Sequence, residues 1–206
     1  MEPNTRRSGA FAALIDRADG FWRRIARLML IAGGWGVMLI GVMVAVDVLS
    51  RYLVGRNLGG VDEIAGYLFA IGISWSLAEA FYARSHVRID FLYHRFPLPL
   101  RAILDVVALV ALLLLAAFLI FSGWIVVSGS WARASRSASS LHVPLIIPQL
   151  AWLAGFLVFL IALALSGLRA LLELGRADFG QVNRQLGVLT PTEEAEDAVK
   201  PSSGAT

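Results

Sequence analysis

The stretch Val106–Ala132, VVALVALLLLAAFLIFSGWIVVSGSWA, contains no Asp, Glu, His, Lys or Arg. A helix rises about 1.5 Å per residue and a bilayer core is about 30 Å thick, so roughly 20 apolar residues cross it. This stretch is longer than that. Two runs of the same kind precede it, Leu28–Val46 and Ile64–Ala78, and a third follows, Val143–Leu168. The second run is short and reaches the required length only if Glu79–Tyr82 lie at the headgroup level. The pattern predicts an all-α integral membrane protein with four transmembrane helices. The spans are expected at residues 28–52, 62–83, 100–130 and 144–170.

Composition agrees. Hydrophobic residues make up 58% of the 206 and charged residues 16%, whereas a soluble domain is about half apolar. Mean hydropathy is +0.71. One membrane domain, residues 28–172, accounts for these values, and the bilayer is its expected surroundings. The absence of cysteine excludes disulfides, thiolate metal sites and thiol nucleophiles. A formal charge of +3 calls for no nucleic-acid partner, because the arginines have another use. Thirteen of them lie in the N-terminal arm, the loop between spans two and three, and the C-terminal flank; four (Arg51, Arg56, Arg133, Arg136) lie in the other two loops. The positive-inside rule then puts both termini and the middle loop in the cytoplasm of a bacterial inner membrane. A cleaved signal peptide is not expected, since the first apolar run starts at residue 28 and is too long for an h-region. Arg6–Arg7 is followed by no close apolar stretch and does not read as a twin-arginine signal.

Residues 1–27 read as a cytoplasmic arm. Within it Phe11, Leu14, Ile15, Ala18, Phe21, Trp22 and Ile25 recur at helical spacing, with Asp16, Arg17, Asp19, Arg23, Arg24 and Arg27 between them. This predicts an amphipathic helix in the membrane interface, bent at Gly20; the alternative is that span one simply continues into the cytosol. Residues 173–206 turn polar, with acidic Glu193–Asp197, and are expected to be a disordered cytoplasmic tail. Ala32-x-x-x-Gly36 in span one, with Gly33, Gly34 and Gly41 nearby, and Gly66-x-x-x-Ala70 and Gly72-x-x-x-Ser76 in span two, predict close packing of these two helices.

Ionisable residues gather at two depths. At the periplasmic rim are Asp47, Arg51, Asp62 and Glu63. Asp47 and Arg51 stand i, i+4 with the acid first, the favourable order on a helix. A short turn, Gly55–Gly60, would bring Glu63 near Arg51, and carboxylates at the start of span two can cap its free N–H groups. At the cytoplasmic rim are Glu79, Arg84, His86, Arg88, Asp90, Arg101 and Asp105. Asp90 could cap a short interfacial helix carrying Phe91, Leu92 and Phe96, ended by Pro97 and Pro99. The third loop is serine-rich and reads as solvated, and Pro144 and Pro148 open span four. The rim charges read either as binding or gating sites or as ion pairs that lock loops; the locking role, with subunit contact, is the one assigned here to Asp47, Arg51, Asp62, Glu63, Glu79, His86, Arg88, Asp90 and Pro144.

No cofactor is expected. A haem-binding respiratory anchor is the rival of the enzyme class, but His86, His94 and His142 lie in or beside loops, without a histidine partner across the bundle. The loop serines have no placed base, and no metal-ligand cluster is apparent. Trp22, Trp131 and Trp152 fit interface belts; Trp35, Trp75 and Trp124 fall deeper, where they could face lipid, pack inside or anchor a partner. Carriers and channels place charged, polar or unwound groups at mid-depth. This sequence has none there, so it reads as a scaffold serving a partner.

Arg51-Tyr52-Leu53, Asp62-Glu63-Ile64-Ala65-Gly66-Tyr67-Leu68, His86-Val87-Arg88-Ile89-Asp90 and Ser140-Leu141-His142-Val143-Pro144 occur in that order across the spans. They resemble the small, DctQ-like membrane subunit of tripartite ATP-independent periplasmic (TRAP) transporters, over roughly residues 28–170. Two positions depart from the family pattern: Asp62 replaces the usual first glutamate, and Gln149 stands where many relatives carry tryptophan. The resemblance implies a division of labour. A soluble periplasmic protein captures an organic acid, and a large, DctM-like permease subunit moves it by an ion-coupled elevator motion. The small subunit binds and stabilises that permease. Two other readings stay open from the residues: an adaptor of another membrane complex, and a self-sufficient small carrier.

Overall fold

The computed structural model describes residues 4–83, 98–139 and 141–174. They form four α-helices: α1 (Asn4–Val54), α2 (Val61–Tyr82), α3 (Leu98–Ala132) and α4 (Ile146–Leu174). All four contain a segment long and apolar enough to cross a membrane. The expected all-α architecture with four spans is therefore present.

The short second run is part of a longer helix that includes its rim residues. Helix α2 has 22 residues, about 33 Å at the helical rise, so with Glu79–Tyr82 included it is long enough to cross. Its start is set by backbone geometry. Gly59 and Gly60 have φ of 64° and 78°, left-handed values that suit glycine. No side chain at the cap position bonds the first turn; Asp62 and Glu63 lie within that turn, so the expected side-chain cap is replaced by a glycine turn.

Helix α1 corrects a second expectation. It runs unbroken through Gly20 for 51 residues, about 75 Å, more than twice the bilayer core. The amphipathic arm is helical, but it is continuous with span one. Protein contact explains this: Ile15, Asp19 and Ala26 on the arm are buried, and the Tyr82 hydroxyl at the end of α2 donates to Asp19 Oδ1 at 3.1 Å. The arm's inner face thus has a partner in the protein itself.

Helix α4 begins at Ile146. Pro148 sits in its first turn, where a missing N–H is tolerated. Pro144 does not open the helix; it forms an isolated antiparallel bridge with Arg136 across the third loop.

The chain divides into two compact units, residues 1–86 with 112–165, and residues 87–111 with 166–206. In the first, Phe156, Val158, Phe159, Ala162 and Leu163 of α4, Ala116 and Val127 of α3, and Ala78 of α2 are buried. Small residues allow the closest approaches. A Cβ on Gly33 would stand 3.2 Å from Gly72 Cα, and one on Gly155 only 2.6 Å from the backbone of Ser74. Phe81 and Phe159 pack edge to face at 6.4 Å, a favoured aromatic geometry. In the second unit, Asp105 and Leu109 on α3 are buried. The predicted interfacial helix near Asp90 and the tail after residue 174 lie outside the described residues.

Candidate functional site

The first and third loops meet at one end of the first unit. Asp47, about two helical turns before the end of α1, is 3% exposed. Its Oδ2 pairs with Arg51 Nη2 at 2.5 Å, and its Oδ1 accepts from the backbone N–H of Leu58 at 2.9 Å. One carboxylate therefore ties the end of α1 to the turn that reverses the chain. Asn57 Oδ1 accepts from Gly59 N–H at 2.9 Å, an Asx turn that sets up the left-handed glycines. Ser50 closes the other side by donating to the Arg56 carbonyl.

Glu63 faces the third loop. It accepts from the Tyr67 hydroxyl at 2.5 Å, and the hydroxyls of Ser139 and Ser137 and the ring of His142 lie around its carboxylate. Ser137 and Ser139 hydroxyls also contact each other at 3.3 Å. Ser137 N–H donates to the Val143 carbonyl and Leu145 N–H to the Ser135 carbonyl. His142 Nδ1 lies 2.6 Å from the Ser139 carbonyl oxygen. The loop is an ordered hairpin pinned to the start of α2, not a merely solvated connection. Leu141 completes the contact, lying where a Cβ on Gly60 would fall.

Several predicted residues meet and others do not. Asp47 and Arg51 pair as their spacing implies. Arg51 and Glu63 form no ion pair among the described residues; Glu63 takes the serine loop, because Asp47 already holds the arginine. Asp62 is exposed. Pro144 belongs to the same hairpin through its bridge with Arg136. His86, Arg88 and Asp90 lie outside the described residues. Glu79 Oε2 is buried without a hydrogen-bond partner among the described residues.

At the opposite end of α2, a second cluster was not singled out from sequence. Asp19 is 4% exposed, accepts from Tyr82 and pairs with Arg23 at 3.6 Å; the Arg23 guanidinium lies 4.6 Å from the centre of the Tyr82 ring. The Asp19/Arg23 spacing was a usable local signal, but Tyr82 is 63 residues away. The deep tryptophans divide. Trp75 packs inside, its Nε1 donating to the Ala151 carbonyl at 2.8 Å, whereas Trp35 and Trp124 are exposed on the helix surface. Near the middle of α2 two hydroxyls close on their own helix: Ser74 donates to the Ile71 carbonyl and Ser76 to the Ile73 carbonyl.

A polar rim at each end, joined by apolar helices, fits a membrane subunit. The family described as "Tripartite ATP-independent periplasmic transporters, DctQ component" matches residues 39–173. The chain belongs to this family. No curated protein and no solved structure matches it. The DctQ match spans both loops of the Asp47 and Glu63 clusters and Tyr82, and leaves Asp19 and Arg23 outside. As a DctQ component, the chain is a small membrane constituent of a TRAP system, a class that also comprises a DctM component and a binding protein.

Proposed function

We propose that this DctQ component is a non-catalytic scaffold that binds the large permease subunit and holds it in the bilayer of the bacterial inner membrane, with both of its own termini cytoplasmic. The substrate is an organic acid, moved with a coupling ion by the large subunit after delivery by the periplasmic binding protein. The observation that carries this reading is the closure of two hydroxyls near the middle of α2, those of Ser74 and Ser76, on their own helix. A solute crossing the membrane needs polar or charged groups at that depth. The helix surface instead offers large apolar side chains, Trp35, Met38, Phe118, Phe121 and Trp124 among them.

On this reading Asp47, Arg51 and Glu63 fix the loops that frame the periplasmic edge, and His86, Arg88, Asp90 and Glu79 serve the cytoplasmic edge. Their role is shape and subunit contact. Co-purification tests it. Arg51→Ala and Glu63→Gln should each lower recovery of the large subunit, with uptake falling in step. Wild-type recovery and wild-type uptake in both would remove any role for these residues. Organic-acid flux into liposomes that contain this chain alone would remove the scaffold reading itself.

A further inference from the structure

Beside the serine hairpin, the end of α3 and the start of α4 enclose a recess of about 300 Å³ that no step above uses. Ser130, Trp131, Ala134, Arg136, Pro144 and Ile146 line it. Its floor is apolar and its rim carries Arg136. Trp131, in the last turn of α3, is 73% exposed, and an exposed indole at a span's end marks headgroup depth. The recess therefore opens sideways where acyl chains give way to phosphates.

The charges at this place are unbalanced. Arg133 and Arg136 are both exposed, and neither has a carboxylate partner among the described residues. Arg136 donates only to a neutral acceptor, the His142 carbonyl, at 3.3 Å. The Arg133 guanidinium is folded back over Gly129, within 2.9 Å of where a Cβ would stand, so it lies along the last turn of α3 at the same level. Glu63, the acid of α2 that faces the hairpin, is engaged by Tyr67 and the serines. Arg136 lines the apolar hollow, and Arg133 stands three positions before it in the chain. A guanidinium binds phosphate oxygens through paired N–H donors.

We propose that this recess binds one anionic phospholipid. Arg136, aided by the potential of Arg133, holds the headgroup phosphate. Trp131, Ala134, Pro144 and Ile146 cover the upper part of an acyl chain. The site does not depend on the scaffold reading, because it is formed within this chain.

The test uses the full-length chain in detergent at low salt, titrated in turn with cardiolipin, phosphatidylglycerol, phosphatidylcholine and inorganic phosphate, with bound species counted by native mass spectrometry. The anionic lipids should be retained about tenfold over phosphatidylcholine, equivalent to about 1.4 kcal/mol. Arg136→Gln should remove most of that preference and Arg136→Lys should keep part of it. Ile146→Trp, which fills the hollow without touching charge, should weaken both lipid classes. Equal retention of anionic and zwitterionic lipid by the unaltered chain would overturn the proposal without any variant. Displacement by inorganic phosphate at matched concentration would overturn it in favour of a free-phosphate site. Release of the lipid on assembly with the large subunit would overturn it in favour of a socket for a protein side chain.

Discussion

Asp47 holds two partners of different kinds, and removing either side of that arrangement has unequal effects. Asp47→Ala strands both the Arg51 guanidinium and the Leu58 N–H, whereas Arg51→Ala leaves the carboxylate still bonded to the backbone. Asp47→Ala thus removes two bonds, one of which fixes the turn after α1, and Arg51→Ala removes one. Asp47→Ala should therefore lower the melting temperature of the detergent-solubilised chain more than Arg51→Ala does. Equal loss would mean that the loop bond is idle. Gln149 gives a prediction of opposite sign. Its Oε1 is buried with no hydrogen-bond partner among the described residues, beside a small apolar recess shared with Tyr67, Ala70 and Trp152. Gln149→Leu should stabilise the isolated chain by about 1 kcal/mol, since an unpaired buried amide oxygen is unfavourable. A drop in melting temperature would show that the amide is engaged after all. These residues also mark what one sequence can reveal. The Asp47–Arg51 pair was legible because i, i+4 spacing is local. The partners of Glu63 were not: Ser137 and Ser139 lie more than seventy positions downstream, and only the approach of two loops brings them together.

At the scale of elements, glycine positions separate contact from open surface. Gly33 and Gly72 touch backbone to backbone, and Gly155 meets Ser74 more closely still, while Gly34 and Gly41 have nothing within 4 Å. Adding side chains at the first set forces helices apart. Gly155→Val should destabilise by about 1–3 kcal/mol, the usual result of overpacking. Gly34→Ala should be neutral or stabilising by up to about 1 kcal/mol, because alanine favours helix more than glycine does. Unfolding of the solubilised chain by titrated denaturing detergent would rank the variants, and a reversed ranking would refute the packing described here. The four helices were legible from hydropathy because lipid forces every spanning segment to satisfy its own backbone. The small-residue spacing correctly linked α1 to α2. It could not select Gly33 over Gly34, Gly36 or Gly41, because the rotational phase of a helix in lipid is set by its neighbours and not by a polar face. Gly155 carried no signal at all for the same reason.

For the molecule as a whole, crossing by all four apolar helices would put both ends of the chain on one side, and the arginine distribution predicts which. Thirteen arginines sit in the arm, the middle loop and the C-terminal flank, against four in the other two loops. The imbalance predicts that the serine hairpin faces the periplasm and both termini the cytoplasm. The sequence contains no cysteine, so single introduced thiols report position without background. Ala138→Cys, on an exposed part of the hairpin, should react with a membrane-impermeant maleimide in cells whose outer membrane has been opened. Ala10→Cys and Ser203→Cys should react only after the inner membrane is lysed. The opposite pattern would invert the molecule, and would move the Arg133/Arg136 recess to the leaflet on the cytoplasmic side. Labelling of only one terminus in intact cells would mean an odd number of crossings, so one of the four apolar helices would not span. Helix α2, the shortest and least hydropathic of the candidate spans, would then be the one to examine first, and the pinning of its first turn by Glu63 would acquire a different meaning: a helix held at the surface by the hairpin rather than a span anchored at its end.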